Sequence, residues 1–189
     1  MPSLNFQVDP MSGTKITLQL RDKVEELLRF LDRSVAAPIA DRFGLKYSLI
    51  GEFHPQAKRA GMTYRTPIRL SASTVNVIRI RLRSRDSPES KLLGTGTLLA
   101  VLLHELCHLK HMNHGEDFAL FVRDVYRFAD ETLGVLKQPD RQVNELPSPW
   151  PWENLVFKRR GKVSDDELMA ALGQPRVPSA GLPPVVADS

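Results

Sequence analysis

Four of the chain's five histidines fall between positions 104 and 114, in the run His104-Glu105-Leu106-Cys107-His108 followed by His111 and His114. On a helix, residues four apart share one face. The imidazoles of His104 and His108 can therefore reach a single zinc ion, with Glu105 beside the water it carries. The preceding residues T-L-L-A-V-L-L are apolar nearly all round, which describes a helix passing through a core. In such dry surroundings zinc is a strong Lewis acid and a neighbouring carboxylate is an effective base. A core has no reason to gather titratable groups at one helix end. The cluster therefore predicts a metal centre with one zinc per chain, His104 and His108 as ligands and Glu105 as the catalytic acid and base.

Catalytic zinc takes three protein ligands and keeps a fourth position for water. His114, ten residues after His104, has the ligand interval of the metzincin motif, although His111 stands where that motif has glycine. Reaching the metal from position 114 requires the helix to end and the chain to turn, and Asn113 and Gly115 are residue types that permit it. His111 competes, because an uninterrupted helix would put it on nearly the same face as His104 and His108. Glu116, Asp117 and Glu131 are the acidic alternatives. Cys107, one step from the ligand face, reads as a small core residue rather than a redox-sensitive thiol.

The elements that must hold this cluster are legible as periodicities. Val24, Leu27, Leu28, Leu31 and Val35 recur at helical intervals, predicting a helix from Arg21 to about Phe43, kinked at Pro38 and stopped by Gly44. Asn76 to Arg83 alternates Ile78, Ile80 and Leu82 with Arg79, Arg81 and Arg83, a half-buried strand with one cationic face. Residues 45–53 form the segment before it, and 54–67 read as a loop with a short strand at 68–71. Phe118, Phe121, Val122, Val125 and Tyr126 mark a second helix after the histidine cluster. Ser164 and Glu167 have capping-box spacing ahead of a helix that closes at Gly173.

A chain of 189 residues with 42% hydrophobic and 25% charged residues is a globular domain, neither a disordered nor a disulfide-built protein. Its one cysteine suits a reducing, intracellular compartment. No basic flank leads into an apolar run at the start, and no stretch is long and apolar enough to span a membrane. The net charge of +4 permits a polyanionic partner without requiring one. The domain reading is a loose arm over 1–15, a folded unit over 16–136, and a Pro-rich tail over 137–189 anchored by Trp150, Trp152 and Phe157, with a short helix near 164–172.

The run H-E-L-C-H-L-K-H-M-N-H-G-E-D-F resembles the signature of the WLM family of zinc metalloproteases, H-E-L-x-H-x-x-H-G-P-H-x-x-x-F, and is similar to the ending seen in the Spartan and SprT relatives. The segments V-A-A-P-I-A-D-R-F-G-L-K-Y-S-L-I-G-E-F-H-P and I-R-I-R-L-R extend the resemblance over about residues 20 to 135. Two departures stand out: Met112-Asn113 replaces Gly-Pro before the last histidine, and Gly115 follows it. The resemblance implies an α+β, minimal zincin-like metalloprotease fold, with a small mixed sheet packed against the HExxH helix. It further implies His104, His108 and His114 as zinc ligands, Glu105 as the catalytic residue, and an intracellular, nuclear protease acting on proteins trapped on DNA.

Arg79, Arg81 and Arg83 with Arg85 form a row at about 7 Å intervals, a candidate surface for DNA, especially single-stranded; the plainer reading is a solvated sheet face. The zincin-like resemblance also suggests this strand as the one beside the substrate cleft. Lys158-Arg159-Arg160-Gly161-Lys162 is a candidate nuclear import signal or another phosphate contact. Leu182-Pro-Pro-Val185-Val186 before Asp188 is a feeble SUMO-interacting candidate, and no ubiquitin-type partner motif is evident. The leading function is therefore a zinc endopeptidase with protein substrates. The rivals are a zinc hydrolase acting on a small or nucleotide substrate, and a non-catalytic DNA-binding or adaptor module with the same fold.

Overall fold

The computed structural model describes residues 18–55, 57–68, 72–84, 91–137 and 148–176. The expected arm over 1–15, the SUMO-interacting candidate, Arg85 and most of the strand expected at 68–71 lie outside the described residues.

Helix α1 (Leu18–Phe30) continues through a π-helical stretch, Leu31–Ala36, into α2 (Ala37–Phe43). The interruption has a clear cause at Pro38, whose ring would meet the carbonyl four residues back in an α-register and which has no N–H to donate. The ladder slips by one residue before the proline is reached: the Ala37 N–H bonds the Asp32 carbonyl, five positions earlier. The helical stripe thus stays buried through Val24, Leu28, Leu31, Val35 and Ile39. Gly44 ends α2 with φ 66°, as its position after the last apolar residue predicts. Inside the π stretch Asp32 is buried, and the Tyr47 hydroxyl donates to its Oδ1 at 2.6 Å.

Three strands follow, β1 (Leu49–Glu52), β2 (Gly61–Pro67) and β3 (Thr74–Ile80), in the spatial order β1-β3-β2. β1 runs parallel to β3, with Ile50 opposite Ile78, and β2 runs antiparallel to it, with Thr63 opposite Ile78. The arginine-bearing strand is therefore the central one, and the strand suggested for the cleft side is corrected to β2. β2 lies inside the segment read as a loop. Its bounding Gly61 and Pro67 are turn signals, and both residue types are tolerated at the ends of an edge strand.

The cationic row is corrected as well. β3 ends at Ile80, and Arg83 lies past it, fully buried, its guanidinium bound to Glu52 through Nε–Oε1 at 2.5 Å and Nη2–Oε2 at 3.0 Å. An arginine there has no surface from which to meet a phosphate. Arg79 and Arg81 are half-buried and donate to the carbonyls of Glu52 and Ala57. These side chains hold the strand ends together.

Helix α3 (Thr95–Cys107) crosses behind the sheet, touching β2 and β3 on one side and α4 (Glu116–Glu131) and the π stretch on the other. Being covered on both sides, it needs apolar residues all round, and Leu98 through Leu103 are all buried. Residues 148–176, expected within the Pro-rich tail, form α5 (Pro151–Lys158) and α6 (Asp165–Leu172), and Trp152, Val156, Phe157 and Leu168 join the same core. α6 begins with the predicted capping box: Ser164 Oγ accepts the Glu167 N–H at 3.2 Å, and Glu167 Oε2 accepts the Ser164 N–H at 2.9 Å.

The turn between them is pinned to α4. Gly161 has φ 78°, and a Cβ there would lie 2.4 Å from the Arg127 backbone nitrogen, so only glycine lets the chain come this close. Arg160 and Lys162 reach the buried Asp130 at 3.3 and 3.6 Å, and Arg159 pairs with Glu167 at 3.2 Å. The basic run read as an import signal is thus folded around acidic partners.

A buried ion pair is expensive to break from one side. Arg83→Met alone should lower the unfolding free energy by about 3–5 kcal/mol in denaturant titrations, because it strands the Glu52 carboxylate. Combining it with Glu52→Leu should recover most of that loss. A single variant as stable as the parent would show that the pair does not hold β1 and the end of β3 together.

Candidate metal centre

α3 and the first turn of α4 assemble the site. His104 and Glu105 lie in the last turn of α3, His108 caps it, and the chain then leaves the helix through Lys110 to Gly115. That exit brings His114 back: its Nε2 lies 3.1 Å from His104 Nε2, which is 3.0 Å from His108 Nε2. The three histidines offer ligand atoms that all lie within 4.8 Å of one another. His111 stays outside, its ring edge-on to Phe121 at 5.6 Å. Met112-Asn113 lies in the non-helical stretch that leads from α3 to His114.

The protonation of these rings follows from their other nitrogens. His108 Nδ1 faces the His111 carbonyl at 3.0 Å, an acceptor only, so Nδ1 carries the proton. His104 Nδ1 faces Glu153 Oε1 at 2.6 Å, which places a proton there too. With both Nδ1 atoms occupied by acceptors, the Nε2 atoms face each other across 3.0 Å, close enough to share a proton or a metal cation. Nitrogens bound to zinc at about 2.0–2.1 Å stand on the order of 3.3 Å apart in tetrahedral geometry, close to the spacing here. The donor set fits the ion.

Phe118, fully buried on α4, meets all three rings, stacking on His108 at 4.7 Å and standing edge-on to His104 at 5.2 Å and His114 at 4.9 Å. The Trp150 ring stacks on the other side of His114 at 5.5 Å. The rings are thus fixed by packing as well as by hydrogen bonds.

Glu105 is buried and its Oε2 accepts the Thr63 hydroxyl at 2.8 Å from β2. Burial pushes this carboxyl above its ordinary range, against the pull of His104 and Thr63, which suits a group that must take up and return a proton. Gly61 leaves room for it: a Cβ there would lie 2.8 Å from Glu105 Cγ. Glu153 has the opposite balance. Burial works against its charge, but His104 and Ser148 outweigh it and hold the carboxyl below the usual range. Correspondingly, burial would depress His104, yet Glu153 raises it. His108 is pushed down to about 4 by burial and by His104. Burial, then the Glu153 and Glu105 carboxylates, raises the Cys107 thiol well above its ordinary value, so it is an inert core group.

His104, Glu105, His108, His114 and Glu153 line one cleft of about 570 Å³, together with Gly61 to Thr63 of β2 and Ser148 to Trp150. The exposed cations Lys58, Arg59 and Arg176 line it too, while both of its carboxylates are buried and hydrogen-bonded.

The WLM domain model matches residues 17–131. The chain belongs to the WLM family. WLM is a metal-dependent protease family, and His104, His108 and His114 form a close triad that could hold a metal ion. Among solved structures, Wss1 from S. pombe is 21% identical, with 68% of this chain and 93% of that one covered at a TM-score of 0.52, a likeness of fold. A Wss1 mutant from Saccharomyces cerevisiae is 16% identical, covering 68% of this chain and 92% of that one at a TM-score of 0.49. A search of curated proteins finds no match.

The WLM match ends before Ser148, Trp150 and Glu153, all of which touch the site. Sequence reasoning took Trp150 only as an apolar anchor and passed over Ser148, Glu153, Thr63 and Gly61. The pattern W-P-W-E, with an acid on an otherwise apolar helical stripe, is the one signal that pointed there. Arg79, Arg81 and Arg83 are not among the cleft residues.

Zinc content separates the two candidate third ligands. His114→Ala should lose the metal, whereas His111→Ala should keep about one zinc per chain, since only its backbone carbonyl serves His108. The reverse pattern would mean that the chain leaves α3 differently. Gly61→Ala should retain zinc and lose at least tenfold in turnover by displacing Glu105; unchanged turnover would show that this contact does not position the carboxylate.

Proposed function

We propose that the protein is a zinc-dependent endopeptidase, with one Zn²⁺ held by His104, His108 and His114 and with Glu105 as its acid and base. The observation that carries this reading is the convergence of three imidazole lone pairs beside a buried, elevated carboxyl on the floor of an open cleft. The ion supplies a Lewis acid that polarises the scissile carbonyl. Glu105 takes the proton of the attacking water and returns it to the leaving amine, giving two peptides. Thr63 keeps the carboxylate aimed while its charge changes. β2 is a sheet edge along the cleft, so an extended substrate can pair its main chain with that strand.

The substrates we infer are proteins crosslinked to or bound on DNA, with a nuclear site of action. Family membership supports this, and so do Lys58, Arg59 and Arg176, cations at the cleft itself that suit a substrate lying against phosphates. These residues replace the arginines of β3 as the expected contacts with DNA, including single-stranded DNA.

The test is cleavage of a DNA-binding protein with and without single-stranded DNA. Wild type should cleave faster with DNA, and Glu105→Gln should keep its zinc and lose cleavage. Lys58→Gln with Arg59→Gln should keep cleavage of the free protein and lose most of the DNA effect, more completely at low salt. Zinc-loaded wild type that cleaves no protein would favour a small-molecule hydrolase or an adaptor instead. Equal DNA stimulation of wild type and the double variant would remove the cleft cations from the account.

A further inference from the structure

Within the reading of the triad as a metal site, the least expected contact comes from α5, beyond the residues that the family model matches. Glu153 is nearly inaccessible to solvent at 4% exposure, yet it is an acid on a helix whose neighbours Trp152, Val156 and Phe157 are core residues. Burying a lone carboxylate is strongly unfavourable unless it is fully hydrogen-bonded. Both oxygens are occupied here: Oε1 by His104 Nδ1 at 2.6 Å and Oε2 by the Ser148 hydroxyl. Ser148 Oγ in turn accepts the Trp150 N–H at 3.1 Å, and Trp150 stacks on His114. One short segment therefore touches two of the three ligands, through a carboxylate and through an aromatic face.

We propose that Glu153 is a positioning residue for the metal centre and that docking of α5 and metal binding are thermodynamically linked. A carboxylate on the far nitrogen fixes the tautomer that presents the bare Nε2, and it raises the basicity of that nitrogen toward a cation. When a ring ligates an ion, the Nδ1 proton becomes more acidic and the bond to Glu153 strengthens. The helix that carries Glu153 is thus held more firmly when metal is bound, and by reciprocity metal is held more firmly when the helix is docked. Trp150 and Pro149 travel with it, so the same linkage sets that wall of the cleft.

The experiment uses the full chain and the metal alone. Zn²⁺ affinity is measured by competition with a chromophoric chelator, Co²⁺ loading by its visible spectrum, and hydrogen exchange over 151–158 with and without Zn²⁺. Wild type should bind Zn²⁺ and slow exchange in α5 on binding. Glu153→Gln keeps the shape and an acceptor oxygen; it should weaken Zn²⁺ binding about 10–100-fold, alter the Co²⁺ spectrum, and lose the metal-dependent protection of α5. Ser148→Ala removes the hydroxyl that bonds Glu153 Oε2 and accepts the Trp150 N–H, leaves the Glu153–His104 contact, and should weaken binding several-fold, which keeps the test decisive if the glutamine variant does not fold. Zn²⁺ affinity and Co²⁺ spectra equal to wild type in a folded variant, or α5 exchange indifferent to metal, would overturn the proposal while leaving the metal site intact. A wild type that binds no metal would instead overturn the zinc reading itself.

Discussion

Three imidazole nitrogens must meet at one point with their lone pairs free, and much of the structure follows from that requirement. A lone pair is free only when the proton sits on the other ring nitrogen, so His104 and His108 each need an acceptor behind them, supplied by Glu153 and by the His111 carbonyl. The rings must also keep their orientation without the ion, and nothing in an imidazole's own bond to its Cβ prevents it from rotating. Phe118 beneath all three and Trp150 beside His114 resist that rotation. A helix alone provides two ligands. The third depends on the exit after His108 and on α4 delivering Phe118 into the space that this exit leaves.

The same demand explains why so much charge lies inside a small core. Glu105, Glu153, Glu52, Asp32 and Asp130 are all buried, and each has a named partner: Thr63, His104 with Ser148, Arg83, Tyr47, and Arg160 with Lys162. Two of these acids serve the site directly. The Glu52–Arg83 pair fastens β1 to the chain leaving β3, which keeps the sheet on which β2, Thr63 and Gly61 depend. Asp130 receives the turn after α5 and so helps to dock the helix that carries Glu153. The sheet packs on the metal helix directly, and the C-terminal helices pack on α4, which also lies against it.

How much of this was legible depended on whether the signal was local. The HExxH spacing, the five-residue interval to His114, the Gly44 stop and the Ser164 capping box are local signals; the structure ends α2 at Gly44, caps α6 with Ser164 and brings the three histidines together. β2 was hidden because Gly61 and Pro67 bound it and its residues do not alternate cleanly, as befits an edge strand read without its partner. Arg83 was misread because alternation shows which residues share a face but not where the strand ends. Beyond Ile80 the chain turns, and a side chain counted as outward points into the core. Glu153 carries only the weak signal of an acid in an apolar W-P-W-E helix start, and nothing near position 153 indicates that His104 will lie against it.

The central claim is that His104, His108 and His114 form one zinc site of three nitrogen ligands. X-ray absorption on the zinc-loaded protein tests it most directly. The account predicts three imidazole nitrogens at about 2.0–2.1 Å, one further light-atom ligand and no sulfur. A sulfur neighbour at about 2.3 Å, which would bring in Cys107, or a shell with only two imidazoles would contradict it.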